Sequence, residues 1–264
     1  MKKQTQSALY LLLTLLFLVG VVWAFRFAHR QHAKRVCDTV KIFIHTDNTE
    51  PFITEHEIIE QLSEAKLYPE GQITDLNVHI IEDYLSSNSA IQSVDVFTQL
   101  SGEMVIHVLQ RQPIVRIENN QREQFYIASD GCLMPTSPNR TARLIIANGH
   151  IPDACMPNLN VSKSATDTTF STPTLQKIYQ LVTYICKDDF LNALIDQIYV
   201  NSKNEFELVP KINNQLILLG HAENYEDQFK RLLQFYHHGV KKVGWNVYKI
   251  INLKYNNQIV CTKT

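Results

Sequence analysis

From Ala8 to Phe25 the chain reads ALYLLLTLLFLVGVVWAF, without a charged side chain. A helix of that length rises about 27 Å, close to the hydrocarbon thickness of a bilayer. Nothing else in the sequence restricts the chain so strongly, because a segment this apolar has few stable places outside a membrane. Trp23, Phe25 and Phe27 gather at its end, as in an interfacial aromatic belt, and Arg26 and Arg30 follow the apolar run. A cleaved signal peptide is the competing reading, with Lys2 and Lys3 as a basic n-region and Val22-Trp23-Ala24 as a cleavage site. The apolar core exceeds the roughly 7–15 residues of a signal h-region, and no polar segment precedes the site, so a retained transmembrane helix over 8–25 is expected. Basic residues lie on both sides, which leaves the orientation open on charge alone.

The charge is unevenly spread. Residues 1–35 hold Lys2, Lys3, Arg26, Arg30, Lys34 and Arg35 and no acidic residue, leaving 19 basic against 26 acidic side chains beyond them. An acidic body lacks the concentrated basic face that phosphate backbones require, so nucleic acid is not an expected partner. Eight glycines are too few to favour phosphate-cradling loops. Cysteines stand at 37, 132, 155, 186 and 261, with no C-x-x-C spacing. No structural metal site is therefore expected; a Cys132–Cys155 disulfide and buried free thiols both fit the spacing.

The expected organisation is a short tail (1–7), the transmembrane helix (8–25), a basic juxtamembrane stalk (26–38), a small α+β domain (39–111) and a larger β domain (112–264). In the small domain Val40, Ile42 and Ile44 alternate as a strand. Thr54 and Glu57 form a capping box ahead of a stripe of Ile58, Ile59 and Leu62. Pro69-Glu70-Gly71 breaks the chain. Thr74 or Asp75 can cap a second helix that buries Leu76, Ile80, Tyr84 and Leu85. Two strands, 91–98 and 104–108, follow around a QLSGE hairpin. The order strand, helix, helix, strand, strand places helices on one sheet face.

Arg111 and Pro113 mark the junction, since proline cannot donate to a ladder and interrupts a central strand. Beyond it the reading is mostly antiparallel β with two helices. Asp130-Gly131 and Asn148-Gly149 are expected as turns, and 150–172 as a loop. Pro173, capped by Thr172, begins a helix with the stripe Leu175, Ile178, Tyr179, Val182, Ile185 and Cys186. A three-stranded meander covers 196–220. A final helix packs through Tyr225, Phe229, Leu232, Leu233 and Tyr236 and stops at Gly239. The closing YKIINLKY alternates as a strand, and a terminal strand is expected at a sheet edge.

Catalytic patterns are missing from this inventory. His56-Glu57 has no second histidine at zinc-protease spacing, and His237-His238 diverge by about 100° on a helix. Ser129-Asp130-Gly131 reads as a hairpin turn rather than a nucleophile elbow. Asp188-Asp189 read as solvated carboxylates at a helix end. No enzyme, cofactor or metal is expected.

Taken together, these segments resemble the bacterial cell-division family FtsQ/DivIB. The small domain is similar to a POTRA domain. QRQPIVRI resembles the family's junction motif, FYIASDGCLMP its next β segment, and GWNVYKIINLKYNNQIVCTK its C-terminal signature. The resemblance spans nearly the whole chain. It implies a non-enzymatic inner-membrane scaffold, N-terminus cytoplasmic and domains periplasmic, at the division septum. It also implies recruitment of FtsB/DivIC-like and FtsL-like bitopic coiled-coil partners by strand addition at a C-terminal edge strand. The family's D-L-R-Y core falls on Asn252-Leu253-Lys254-Tyr255, with Asn for Asp and Lys for Arg. Lys cannot fork onto a carboxylate as Arg does. The resemblance marks Asn252, Lys254, Tyr255, Gln258 and Val260 as partner-binding. The alternatives are a POTRA-bearing outer-membrane assembly or secretion component, and an anchored periplasmic hydrolase.

Overall fold

The computed structural model describes residues 16–24, 26, 39–46, 51–68, 77–99, 101–137, 142–157, 159–161, 173–212, 214–240 and 244–263. Residues 16–24 are helical, and Leu16, Phe17, Leu18, Val19, Val22 and Trp23 expose their side chains. The remainder of the expected membrane segment and residues 27–38 of the stalk lie outside the described residues. No helix among the described residues is long and apolar enough to cross a membrane. Contacts divide the chain into two compact units. One contains Ile53–Ser86 and Ser93–Leu109 with the first strand; the other contains Gln110–Thr264 together with Ser87–Gln92 and Thr46–Phe52.

The first unit runs β1 (Val40–His45), α1 (Glu55–Glu64), α2 (Val78–Ser86), β2 (Ile91–Thr98) and β3 (Met104–Gln110). The sheet order is β1-β3-β2, with β1 parallel to β3. Thr54 caps α1: its Oγ1 accepts from the Glu57 N–H at 3.2 Å, and Glu57 Oε2 accepts from the Thr54 N–H at 2.9 Å. Such a cap contributes about 1 kcal/mol. Ile58 and Leu62 are buried, as their spacing requires. In α2 the buried pair is Ile81 and Leu85, whereas Ile80 is 49% exposed. The expected face was therefore one residue off, because adjacent isoleucines make both helical registers apolar. Leu76 and the cap candidates Thr74 and Asp75 lie outside the described residues. On the other sheet face Phe43 and Phe97 both stack on His107, at 5.1 and 5.7 Å.

The second unit contains β4 (Pro113–Glu118), β5 (Gln124–Ala128), β6 (Leu133–Pro135), β7 (Ile145–Gly149), α3 (Pro173–Cys186), α4 (Asp189–Leu194) and β8 (Ile195–Val200). It continues through β9 (Phe206–Pro210), β10 (Leu216–Gly220), α5 (Tyr225–Gln234), β11 (Tyr248–Asn252) and β12 (Val260–Lys263). Among the described residues nine strands form one sheet, in the order β12-β11-β10-β9-β8-β7-β4-β5-β6. Most pairings are antiparallel. β4/β7, β7/β8 and β10/β11 are parallel. Parallel neighbours need long crossovers, and α3 with α4 and then α5 supply two of them. Their apolar faces share a core with the sheet: Leu175, Ile178, Leu181, Val182 and Ile185 of α3 and Phe229 and Leu232 of α5 are fully buried alongside Ile117, Ile198, Leu208, Ile217, Ile251 and Leu253. Each such side chain contributes roughly 1.5–3 kcal/mol by leaving water.

Several local expectations change. Leu181 replaces Cys186 on the buried stripe of α3; Cys186 is exposed. Asp188 is not merely solvated: its Oδ1 accepts from the Leu191 N–H at 2.9 Å and caps α4, a helix too short to announce itself by periodicity. Asn148-Gly149 is no turn. It lies in the parallel ladder opposite Tyr199 and Val200. The glycine is needed for its φ of +100° and because a Cβ would meet the Val200 carbonyl oxygen at 2.2 Å. Gly239 does not end a helix either. The chain continues α5 as a π-helical turn, Phe235–Val240, and a Cβ at Gly239 would crowd the Phe235 ring at 3.0 Å. Cys132, Cys155, Cys186 and Cys261 are free thiols, so Cys132 and Cys155 do not pair; of the four only Cys132 is buried.

Candidate functional site

The closing segment forms a hairpin at the end of the nine-stranded sheet. β11 lies between two neighbours: Ile217 faces Ile251 across the parallel pairing, and Ile251 faces Cys261 across the antiparallel one. The run Ile251 to Tyr255 is therefore not the edge strand the sequence led us to expect. Its strand ends at Asn252, and the chain turns back through Tyr255–Asn257, where Asn257 adopts a φ of +58°. Asparagine enters this left-handed region more readily than other non-glycine residues, so the turn closes without glycine. The edge itself is β12.

Backbone alternation shows which groups that edge offers. The Leu253 N–H donates to the Leu218 carbonyl at 2.9 Å, so the backbones of Ile251 and Leu253 face β10 and those of Ile250 and Asn252 face β12. Val260 and Thr262, opposite Asn252 and Ile250, thus turn their backbone groups inward. Cys261 and Lys263 turn theirs away from the sheet.

The side chains expected to bind a partner divide into two sets. Tyr255 is 52% and Val260 44% exposed, and Gln258 is exposed beside them. Asn252 and Lys254 are engaged within the domain. Asn252 Oδ1 accepts from the Lys254 N–H at 3.0 Å, and Lys254 Nζ donates to Glu205 Oε1 at 2.8 Å. The Lys254 stem crosses Gly220, where a Cβ would stand 3.2 Å from its Cγ. That bond, helped by the Asn201 amide, holds the Glu205 carboxyl below its ordinary value. Leu253 is fully buried and belongs to the core.

Arg231, on α5, is the residue that sequence reasoning missed. Its Nε donates to Asp227 Oδ2 at 2.8 Å. Its Nη1 donates to the Tyr255 and Gln258 carbonyls at 2.9 and 2.5 Å, and its Nη2 to that of Leu253 at 3.3 Å. One guanidinium thus pins both ends of the turn between β11 and β12. Gln228, one helical turn away, donates Nε2 to the Leu219 and Leu253 carbonyls at 2.8 and 3.1 Å. Gln215 holds the other end of β11, donating to the Trp245 and Tyr248 carbonyls and accepting from the Tyr236 hydroxyl at 2.8 Å. Only the four-residue spacing of Asp227 and Arg231 hinted at any of this, and such spacing is common on exposed helix faces.

At the expected junction, Arg111 Nε donates to Asp130 Oδ2 at 2.8 Å and its Nη1 to the Ser89 carbonyl at 2.7 Å. Burial pushes the Asp130 carboxyl up, but the Arg111 hydrogen bond, the Cys132 N–H and the Arg111 charge outweigh it and hold the group below its ordinary value. Pro113 opens β4 opposite Ala128, with a register break before Val115. Proline is tolerated there because the first strand position and a bulge need no donor.

Among the described residues, no group of three or more histidine, cysteine, aspartate or glutamate side chains could hold a metal. Glu57 is committed to its capping box, and Asp130-Gly131 is the turn of the β5–β6 hairpin. A family model described as FtsQ/DivIB, C-terminal related, matches residues 112–262, and a POTRA-like domain model matches residues 35–109. No curated protein matches the chain. Both families are in general scaffolds rather than catalysts, and the first is tied to cell division. The chain belongs to the FtsQ/DivIB family, as a protein in which a POTRA-like domain precedes the matched C-terminal region.

Proposed function

We propose that this FtsQ/DivIB-type chain is a non-enzymatic divisome scaffold that recruits a bitopic coiled-coil partner of the FtsB/DivIC or FtsL kind by strand addition to β12. The observation that carries the reading is the open end of the sheet, where the Cys261 and Lys263 backbones face outward beside exposed Val260 and Tyr255. An added strand would gain affinity from main-chain hydrogen bonds and specificity from alternate side chains. Tyr255 offers a large, half-exposed ring with a hydroxyl, the kind of side chain that anchors interfaces. Residues 8–25 would form a single-pass inner-membrane anchor, with the N-terminus cytoplasmic and both domains periplasmic at the septum. The exposed apolar side chains of helix 16–24 support that placement.

The test is co-purification of the detergent-solubilised full chain with an FtsB/DivIC-like partner. Lys263→Pro removes one outward N–H without disturbing a buried side chain, and Tyr255→Lys removes the anchor. Each should lower capture at least tenfold. Wild-type capture by Lys263→Pro would refute strand addition at β12.

A further inference from the structure

Five and six strands from β12, at β7 and β4, a separate open cavity of about 910 Å³ lies beneath the C-terminal end of α3. At about 4.8 Å per strand that wall is roughly 24–29 Å from β12, so occupation of one surface leaves the other free. The cavity wall is apolar where β4 and β7 form it, through Pro113, Ile114 and Ile146, the last 40% exposed. Among the described residues its charged lining is one-sided: Arg116, Arg143, Lys187 and Lys211 against the carboxylate of Asp196. Among the described residues Arg143, Lys187 and Lys211 have no ion-pair partner. The Arg116 guanidinium donates to the neutral Gln124 amide oxygen.

We propose that this cavity is a second docking site, one that receives an acidic segment of a partner protein. Charge complementarity fixes the sign of the occupant, because a cationic segment would meet four like charges. The apolar wall and the size favour a peptide over a small anion. A phosphate or sulfate would fill a small part of a cavity in the range that accommodates drug-sized ligands, roughly 300–1,000 Å³, and would leave Ile114 and Ile146 uncovered. An acidic segment that also carries one or two apolar side chains satisfies both halves of the lining. The surface would serve a partner other than the strand that pairs with β12.

The probe is a fluorescent pentapeptide alternating glutamate with leucine and phenylalanine, titrated against the full chain in detergent and read by anisotropy. Cys186, exposed on the cavity lining, supplies an independent reporter through site-resolved mass spectrometry of its alkylation. The acidic peptide should bind, its lysine counterpart should not, and bound peptide should slow Cys186 alkylation several-fold. Lys187→Glu with Lys211→Glu, both at exposed positions, should weaken binding at least tenfold while leaving the melting curve unchanged. Equal binding to wild type and variant, or unaltered Cys186 alkylation, would overturn the proposal. So would equal binding of a glutamate–serine peptide that inorganic phosphate displaces, which would mark a small-anion site. Because β12 plays no part in this assay, failure here leaves strand addition standing.

Discussion

Arg231→Ala tests whether the C-terminal hairpin is held from α5. The guanidinium makes one ion pair and three carbonyl contacts, and its side chain is 13% exposed. The losses are unequal. Asp227 is largely exposed and can be solvated, so that pair contributes less than about 1 kcal/mol. The Leu253 carbonyl keeps its bond from Gln228. The Tyr255 and Gln258 carbonyls lose a charged donor, and water replaces it in part; hydrogen bonds to charged groups contribute about 1.5–3 kcal/mol each when unreplaced. A net cost of about 2–3 kcal/mol follows, concentrated between Leu253 and Lys263. Hydrogen–deuterium exchange should then show faster exchange at Val260 and Thr262, whose backbone groups face β11, and across Tyr248 to Asn252. The β4–β5 hairpin, far along the sheet, should keep its protection. Arg231→Lys should fall between the two, since an ammonium retains charge but cannot fork to both carbonyls. Unchanged exchange over 248–263 in the alanine variant would refute the pinning role.

Two further perturbations probe the frame around this site. Gly149→Ala should cost on the order of 2–4 kcal/mol, from left-handed strain plus overlap with the Val200 carbonyl, read as a lower urea midpoint; an unchanged midpoint would contradict the close approach of β7 and β8. Asp130 has its pKa lowered on folding, so its contribution to stability is complete above the unfolded value, about 4, and is lost as pH falls through the folded one. Stability between pH 5 and 2 should fall more steeply in wild type than in Asp130→Asn, and parallel curves would rule out the Arg111 pairing as the cause.

The elements that could be read in advance were those with one dominant local signal. The Thr54 and Glu57 capping box, the Asp130-Gly131 hairpin and the meander from Ile195 to Gly220 each follow from periodicity or turn chemistry within ten residues or so. The misses arose where long-range geometry chose between locally equivalent options. Ile80 and Ile81 are interchangeable on a helical wheel, and only packing selects Ile81. Gly149 looks like a turn glycine, yet it is required by a strand 50 residues away. Parallel pairing of β10 with β11 also leaves no local mark, and the return of β12 onto the outer side of β11 is what moves the edge from Asn252 to Val260. At the candidate site, Tyr255 and Val260 are marked by the family resemblance, and the structure leaves both exposed. Arg231 was not, because its partners are carbonyls, which every residue carries.

The late arrival of β11 has a consequence for synthesis. β10 meets its outer neighbour only after the chain has been extended from Ile217 to Ile251. At about 5–20 residues per second, those 34 positions take roughly 2–7 s. During that interval Leu-Ile-Leu-Leu-Gly, an uncharged and proline-free strand, presents a bare edge of the sort that nucleates aggregation. Chains interrupted before Tyr248 would keep that edge permanently. Quality control on this protein should therefore act most strongly on products truncated between β10 and β11, where the nascent domain is nearly complete yet most adhesive.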